Sequence, residues 1–153
     1  MKKNSGFTLM ELAIAMAILM VVVGVVLIGA SGDNNDYRTL YNATLTLQAD
    51  MRYAQRRAII EGRRFSVDFE PSHNRYRIVK YDYIPGRYVV RTVYLQNGVV
   101  FLDSSSQNFR VQYLPRGTVS GSTSIYFRSG RFAQRVTITV AGGQVRLAPI
   151  VSE

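Results

Sequence analysis

Cysteine and tryptophan are absent from the 153-residue chain, histidine occurs once, at His73, and lysine only at Lys2, Lys3 and Lys80. Without cysteine there is no disulfide framework, thiolate zinc site or cysteine nucleophile. A single histidine, set in a Pro-Ser-His-Asn turn, leaves little material for a triad or a multi-histidine metal centre. No Gly-rich phosphate loop or nucleophile elbow is present, and Gly86-Arg87 and Gly130-Arg131 read as turns. Acidic residues are scarce as well: 10 Asp and Glu stand against 19 Lys and Arg, a net charge of +9. Asp68 and Glu70 share the polar face of one strand among many arginines, which is a poor setting for an acid–base pair. No catalytic residue, metal ligand or cofactor is expected, and the chain does not read as an enzyme.

Hydrophobic residues make up 47% of the chain, enough for a packed core, but they are unevenly placed. After Met1-Lys2-Lys3-Asn4-Ser5-Gly6 comes Phe7-Thr8-Leu9-Met10-Glu11-Leu12, followed by an uncharged run to Ile28 interrupted only by Gly24. As one helix, residues 7–30 extend about 36 Å, which covers a bilayer core of about 30 Å. Lys2 and Lys3 precede the run and no cation follows closely. The positive-inside rule therefore places the amino end in the cytoplasm and the rest of the chain on the far side of a single-pass membrane span. A secretory signal peptide shares this general outline. Against it stand the length of the run, weak small-residue cleavage sites at Ala30 or Gly32, and Glu11. An acid inside an apolar helix is expensive, about 2.5–3.5 kcal/mol for a central Asp on insertion scales, so it points to a function.

Residues 31–36 form a polar break rich in Asp and Asn that offers N-cap residues for a second helix. The same cluster lacks the spacing and closing glutamate of an EF-hand. Tyr37, Leu40, Tyr41, Thr44, Leu47, Met51, Ala54 and Ala58 then recur at helical spacing and define one face, with Gly62 as the stop. Beyond Gly62 the period changes to two: Phe65, Val67 and Phe69 alternate with Ser66, Asp68 and Glu70. Further strands are expected near 76–81, 88–95, 99–102, 109–114, 124–128, 135–140 and 144–150, with a turn at 71–74 and a Gly142-Gly143 hairpin.

The run Gly6-Phe7-Thr8-Leu9-Met10-Glu11-Leu12 resembles the class III signal sequence of type IV pilins and pseudopilins. The resemblance implies cleavage by prepilin peptidase between Gly6 and Phe7 and methylation of the new amino terminus at Phe7. It also implies an assembly role for Glu11, whose carboxylate would neutralise the amine of Phe7 on the same or a neighbouring subunit. Residues 51–67 resemble the place in the GspH/FimT branch where the helix hands over to the first strand. Residues 124–131 and 136–147 are similar to that branch's later strand-and-glycine segment and closing hairpin. The lack of cysteine suits this branch better than the major pilins, many of which close a carboxy-terminal loop with a disulfide.

The implied organisation is a leader at 1–6, a transmembrane and assembly helix at 7–30, and an exported domain at 31–153. The fold class is α+β: a long N-terminal helix, membrane half plus amphipathic half, packed on a small antiparallel β domain. The implied role is a minor pilin or pseudopilin of a type II secretion or type IV pilus filament. Its partners would be other pilins or pseudopilins, the prepilin peptidase, the inner-membrane assembly platform and the membrane itself.

DNA is the alternative partner. Loss of Lys2 and Lys3 with the leader takes the charge from +9 to +7, still strongly basic. Arg56, Arg57, Arg63 and Arg64 cluster at the helix end, and Arg128, Arg131, Arg135 and Arg146 near the last strands could contact phosphates. Some FimT relatives take up DNA through a Gly-Arg-any-Arg motif; the comparable place here reads Gly143-Gln144-Val145-Arg146, which keeps only the second arginine. The competing reading is a solvated or intersubunit arginine face.

Overall fold

The computed structural model describes residues 8–83, 86–96, 98–104 and 109–152, and within these the side chains of 25–33, 103, 104 and 141 lie outside the description. The chain divides into two units between Asn35 and Asp36. The helix α1, Leu9–Glu61, is the only α-helix among the described residues, and its backbone continues through 31–36, where the sequence predicts a break. Ser, Asn and Asp are weak rather than prohibitive helix residues, and no proline or terminating glycine conformation intervenes before Gly62.

In the second unit α1 buries Leu40, Ala43, Thr44, Leu47, Asp50, Met51, Ala54 and Ala58. These steps of three and four give the expected stripe, with one correction. Tyr37 and Tyr41 are 44% exposed, because they lie at the stripe's edge and stack on each other, with ring centroids 6.4 Å apart. The helix stops where the sequence places its end: Gly62 has φ +61°, its N–H donates to Ile59 O, and the Arg63 N–H donates to Ala58 O. This pair of bonds is a Schellman closure, and the left-handed backbone it needs is one that glycine adopts without steric cost.

Among the described residues nine strands form two antiparallel sheets, one strand more than the eight read from the sequence. Sheet A has the order β3-β2-β1-β5, from β1 Arg64–Glu70, β2 Arg75–Tyr81, β3 Arg87–Tyr94 and β5 Arg110–Tyr113. Sheet B has the order β4-β6-β7-β8, from β4 Val99–Ser104, β6 Thr123–Ser129, β7 Phe132–Ile138 and β8 Val145–Leu147, with β9 Val151–Ser152 also paired to β7. The 71–74 turn is a short 3-10 turn closed by Asn74 in the left-handed region. The Gly142-Gly143 hairpin joins β7 to β8 as expected.

Phe65, Val67, Phe69, Tyr76, Ile78, Val111 and Tyr113 of sheet A meet Val99, Ile125, Phe127, Val136, Ile138 and Val145 of sheet B in one core with the helix stripe. An aromatic relay joins the sheets: Tyr76 to Phe69 at 5.9 Å, Phe69 to Phe101 at 5.5 Å, and Phe101 to Phe127 at 4.9 Å. Each such side chain contributes about 1.5–3 kcal/mol by leaving water. The helix is also tied by polar side chains to sheet B, to the β7–β8 turn and to the turn that follows β5. The Thr44 hydroxyl donates to Gln134 Oε1 at 2.7 Å, and Gln48 donates to Val145 O at 3.1 Å. The Gln55 amide donates to both Gly117 O and Gly142 O at 2.7 Å. These bonds fix where the β7–β8 hairpin lies on the helix.

Candidate assembly segment and arginine faces

Gly6 and Phe7 lie outside the described residues, so the expected cleavage and methylation site begins to be visible only at Thr8. Thr8 and Glu11 close the helix start reciprocally. The Thr8 backbone N–H and hydroxyl both donate to Glu11 Oε2 at 3.0 Å, and the Glu11 N–H donates to the Thr8 hydroxyl oxygen at 3.3 Å. This is a capping box, in which an N-cap threonine and a glutamate three residues on satisfy two orphan backbone donors. The Thr-x-x-Glu spacing carries that signal in the sequence. Leu9, Met10, Leu12, Ile14, Met16, Ile18, Leu19, Met20, Val21, Val22 and Val23 are all exposed, an apolar surface without protein cover in the single chain. Among the described residues no helix is long and apolar enough to cross a membrane. The described side chains of this segment end at Gly24, so the remainder of the span expected at 7–30 lies outside them.

The arginines divide by sheet. On sheet A, Asp68 is buried and bracketed by Arg87 and Arg110, with Arg110 Nε donating to Oδ1 at 2.8 Å and the Ser66 hydroxyl donating to the same oxygen at 2.7 Å. Donating to Asp68 in turn holds the Arg110 guanidinium above its usual range. Arg75 Nε donates to Glu70 Oε2 at 2.7 Å, and Arg77 pairs with the other oxygen. The Arg75 hydrogen bond, reinforced by the charges of Arg75, Arg77 and His73 and opposed by some desolvation, holds the Glu70 carboxyl below its usual range. Asp50, buried on α1, accepts from the Tyr76 hydroxyl and from Arg91 Nη1, each at 2.7 Å.

At the helix end Arg57 pairs with Glu61 at 2.7 Å. Arg63 pairs with Asp82 at 3.3 Å while its guanidinium lies 4.0 Å from the Tyr83 ring centroid. Lys80 bonds Glu61 at 2.9 Å, and that bond raises its pKa. The carboxylates Glu61, Asp68 and Glu70 are thus each bound to cations, which leaves Asp68 and Glu70 on ion pairs of their own.

Sheet B is different. Tyr126 lies opposite Arg135, and Thr137 opposite Arg146, while Arg128 follows Tyr126 by two residues. Residues opposite each other or two apart share a face, so Arg128, Arg135 and Arg146 stand together on the outer side of sheet B. All three are exposed, and none pairs with a described carboxylate. Arg131 does not join them: it sits in the β6–β7 turn with its guanidinium 5.3 Å from the Phe132 ring centroid. Sequence reasoning missed the apolar neighbours of the three arginines, Val100, Leu102 and Val151, whose alternation on short strands is blurred by a register shift between Phe101 and Asp103.

A capped apolar helix start and a helix laid on two antiparallel sheets define a type IV pilin-like protein. The family model of the prokaryotic N-terminal methylation motif matches residues 1–27, and that of type II transport protein GspH matches residues 43–143. The chain belongs to the GspH family. Two solved structures share its fold. The minor pseudopilin EpsH from the type 2 secretion system of Vibrio cholerae is 17% identical, with a TM-score of 0.58 over 68% of this chain and 91% of that one. The type IV minor pilin FimU of Pseudomonas aeruginosa is 15% identical, with a TM-score of 0.61 over 74% of this chain and 90% of that one. No curated protein matches the sequence.

Proposed function

We propose that the protein is a minor subunit of a short envelope filament, a type II secretion pseudopilus or a type IV pilus. In this reading prepilin peptidase cuts between Gly6 and Phe7 and Phe7 is methylated. Residues 7–30 anchor the subunit in the inner membrane and then enter the filament, and residues 31–153 are exported. The observation that carries the reading is the methylation motif over residues 1–27 joined to a GspH domain over 43–143 in one chain. Glu11 supports it further, since a carboxylate in an apolar helix needs a cationic partner, and the amine of a newly cut Phe7 is the nearest one available. The exposed apolar side chains from Leu9 to Val23 are suited to lipid first and to neighbouring helices afterwards.

The test is to express the full chain with and without a prepilin peptidase and measure intact mass. The expected product has lost residues 1–6 and gained one methyl group, and Gly6→Val remains full length. An uncut wild-type chain in the presence of active peptidase would refute the reading. Glu11→Ala is expected to be cut but to fail in co-assembly with other pilin-like subunits, whereas normal co-assembly would remove Glu11 from this role.

A further inference from the structure

The outer face of sheet B carries three exposed arginines, Arg128, Arg135 and Arg146, that pair with no described carboxylate. Arg75, Arg77, Arg87, Arg91 and Arg110 are all bound to Asp50, Asp68 or Glu70. Strands β6, β7, β8 and β9 contain no Asp or Glu at all. Arg128, Arg135 and Arg146 therefore form a diagonal row across three hydrogen-bonded strands, with diagonal neighbours about 7–8 Å apart. Beside this row, toward β4, lie Val100 at 40% exposure, Leu102 at 45% and Tyr126 at 36%, while Val151 at 55% flanks it on β9. The face grades from Val100 and Leu102 on β4 to the arginines of β7 and β8, with Asp103 of β4 opposite Tyr126 in the ladder, and it stands on strands rather than on loops.

We propose that this face docks an acidic protein surface, that of a neighbouring pilin-like subunit which sets an apolar strip against β4 and β6 and carboxylates against β7 and β8. The proposal rests on the filament reading above. Guanidinium groups match carboxylates bidentately, and arginine and tyrosine are the residue types that protein interfaces enrich while they deplete lysine. A second copy of this chain is a poor occupant, because it would bring the same unpaired arginines and a strongly basic charge. Nucleic acid is also disfavoured: Tyr126 is the one exposed aromatic side chain described in the row, and aliphatic Val100 and Leu102 offer a backbone of phosphates nothing to bind.

The experiment uses the processed full-length chain in detergent. The probes are each of the other pilin-like subunits of the same cell, a second copy of this chain, and a short duplex DNA. Binding is measured between about 50 and 300 mM salt, where screening of exposed charges changes most. An acidic subunit is expected to bind, with affinity that falls with salt. The triple variant Arg128→Glu, Arg135→Glu, Arg146→Glu should weaken it by about tenfold or more. The milder Arg128→Gln, Arg135→Gln, Arg146→Gln should give an intermediate loss. Arg38→Glu, Arg52→Glu, Arg116→Glu, which makes the same charge change elsewhere on the surface, should leave it unchanged. The proposal is overturned if no subunit binds, if binding ignores the three arginines, or if the second copy or the DNA is what they capture. Processing is scored on the same samples, so a chain that is cut normally but indifferent to these variants refutes the docking face and leaves the filament reading intact.

Discussion

The Tyr76 hydroxyl on β2 donates to the buried carboxylate of Asp50 on α1 at 2.7 Å, and this bond ties the helix to sheet A from inside the core. Arg91 from β3 reaches the other oxygen, so one carboxylate connects three elements. Tyr76→Phe deletes one donor, and Asp50 keeps its charged partner; the expected cost is about 0.5–1.5 kcal/mol. Asp50→Ala orphans the Tyr76 hydroxyl and frees Arg91, which is already half-exposed, and should cost about 1–3 kcal/mol. Denaturant unfolding of the two variants checks the order, and a larger loss for Tyr76→Phe would contradict it.

Tyr113 on β5 provides the contrast, because its hydroxyl is buried with no hydrogen-bond partner among the described residues. Removing an unsatisfied polar atom relieves a desolvation penalty. Tyr113→Phe should therefore be neutral or stabilising where Tyr76→Phe is destabilising. The same denaturant series measures both, and a clear loss of stability in Tyr113→Phe would sink the argument.

Burial pushes both phenols well above the ordinary tyrosine range, with the Asp50 hydrogen bond adding to the effect at Tyr76. The folded state holds these protons while the unfolded chain releases them above about pH 10. Above that pH the unfolded state binds fewer protons, so stability must fall as pH rises. Tyr113→Phe should flatten this alkaline decline without lowering stability at neutral pH, as stability curves between pH 8 and 11 would show.

The acid limb has the opposite sign. The Arg75 hydrogen bond lowers the Glu70 pKa, and the Tyr83 backbone N–H, with Arg63 and Lys80, lowers that of Asp82. Such groups add stability above the unfolded carboxylate range, and that contribution is lost as pH falls through their depressed folded values. Glu70→Gln should therefore narrow the stability difference between pH 6 and pH 3 relative to the wild type. An unchanged difference would mean that solvent screening cancels the pair.

Local and periodic features are the legible ones. The stripe from Leu40 to Ala58, the Gly62 stop and the Gly142-Gly143 hairpin each follow from residues within a few positions of one another. The split into two sheets is not legible, because strand alternation says which side of a strand faces the core and nothing about which strands pair. Asp50 illustrates the limit: it falls on the buried helix stripe, and its partners Tyr76 and Arg91 are 26 and 41 residues away. Likewise Arg128 and Arg87 look alike in the sequence. Only the topology gives Arg87 an Asp68 to bind and leaves Arg128 without a described carboxylate partner.

The Thr8–Glu11 capping box bears on the helix start that assembly needs. The Thr8 N–H that Glu11 accepts belongs to the residue next in sequence to Phe7, whose amine cleavage would create. Thr8→Val removes the hydroxyl bonds and keeps the backbone one; Glu11→Gln keeps hydrogen bonding and removes charge; Glu11→Ala removes both. Loss of an N-cap costs about 0.5–2 kcal/mol, which corresponds to roughly two- to thirtyfold faster amide exchange in the first turn. Hydrogen exchange over residues 9–12 of the detergent-bound chain should rank Thr8→Val fastest, because it removes the acceptor of the residue 11 N–H, with Glu11→Ala next and Glu11→Gln nearest to wild type. If Glu11→Gln then also fails in co-assembly while its helix start stays protected, the charge itself is required and the cap alone is insufficient. If it assembles normally, capping accounts for the glutamate without any pairing to Phe7.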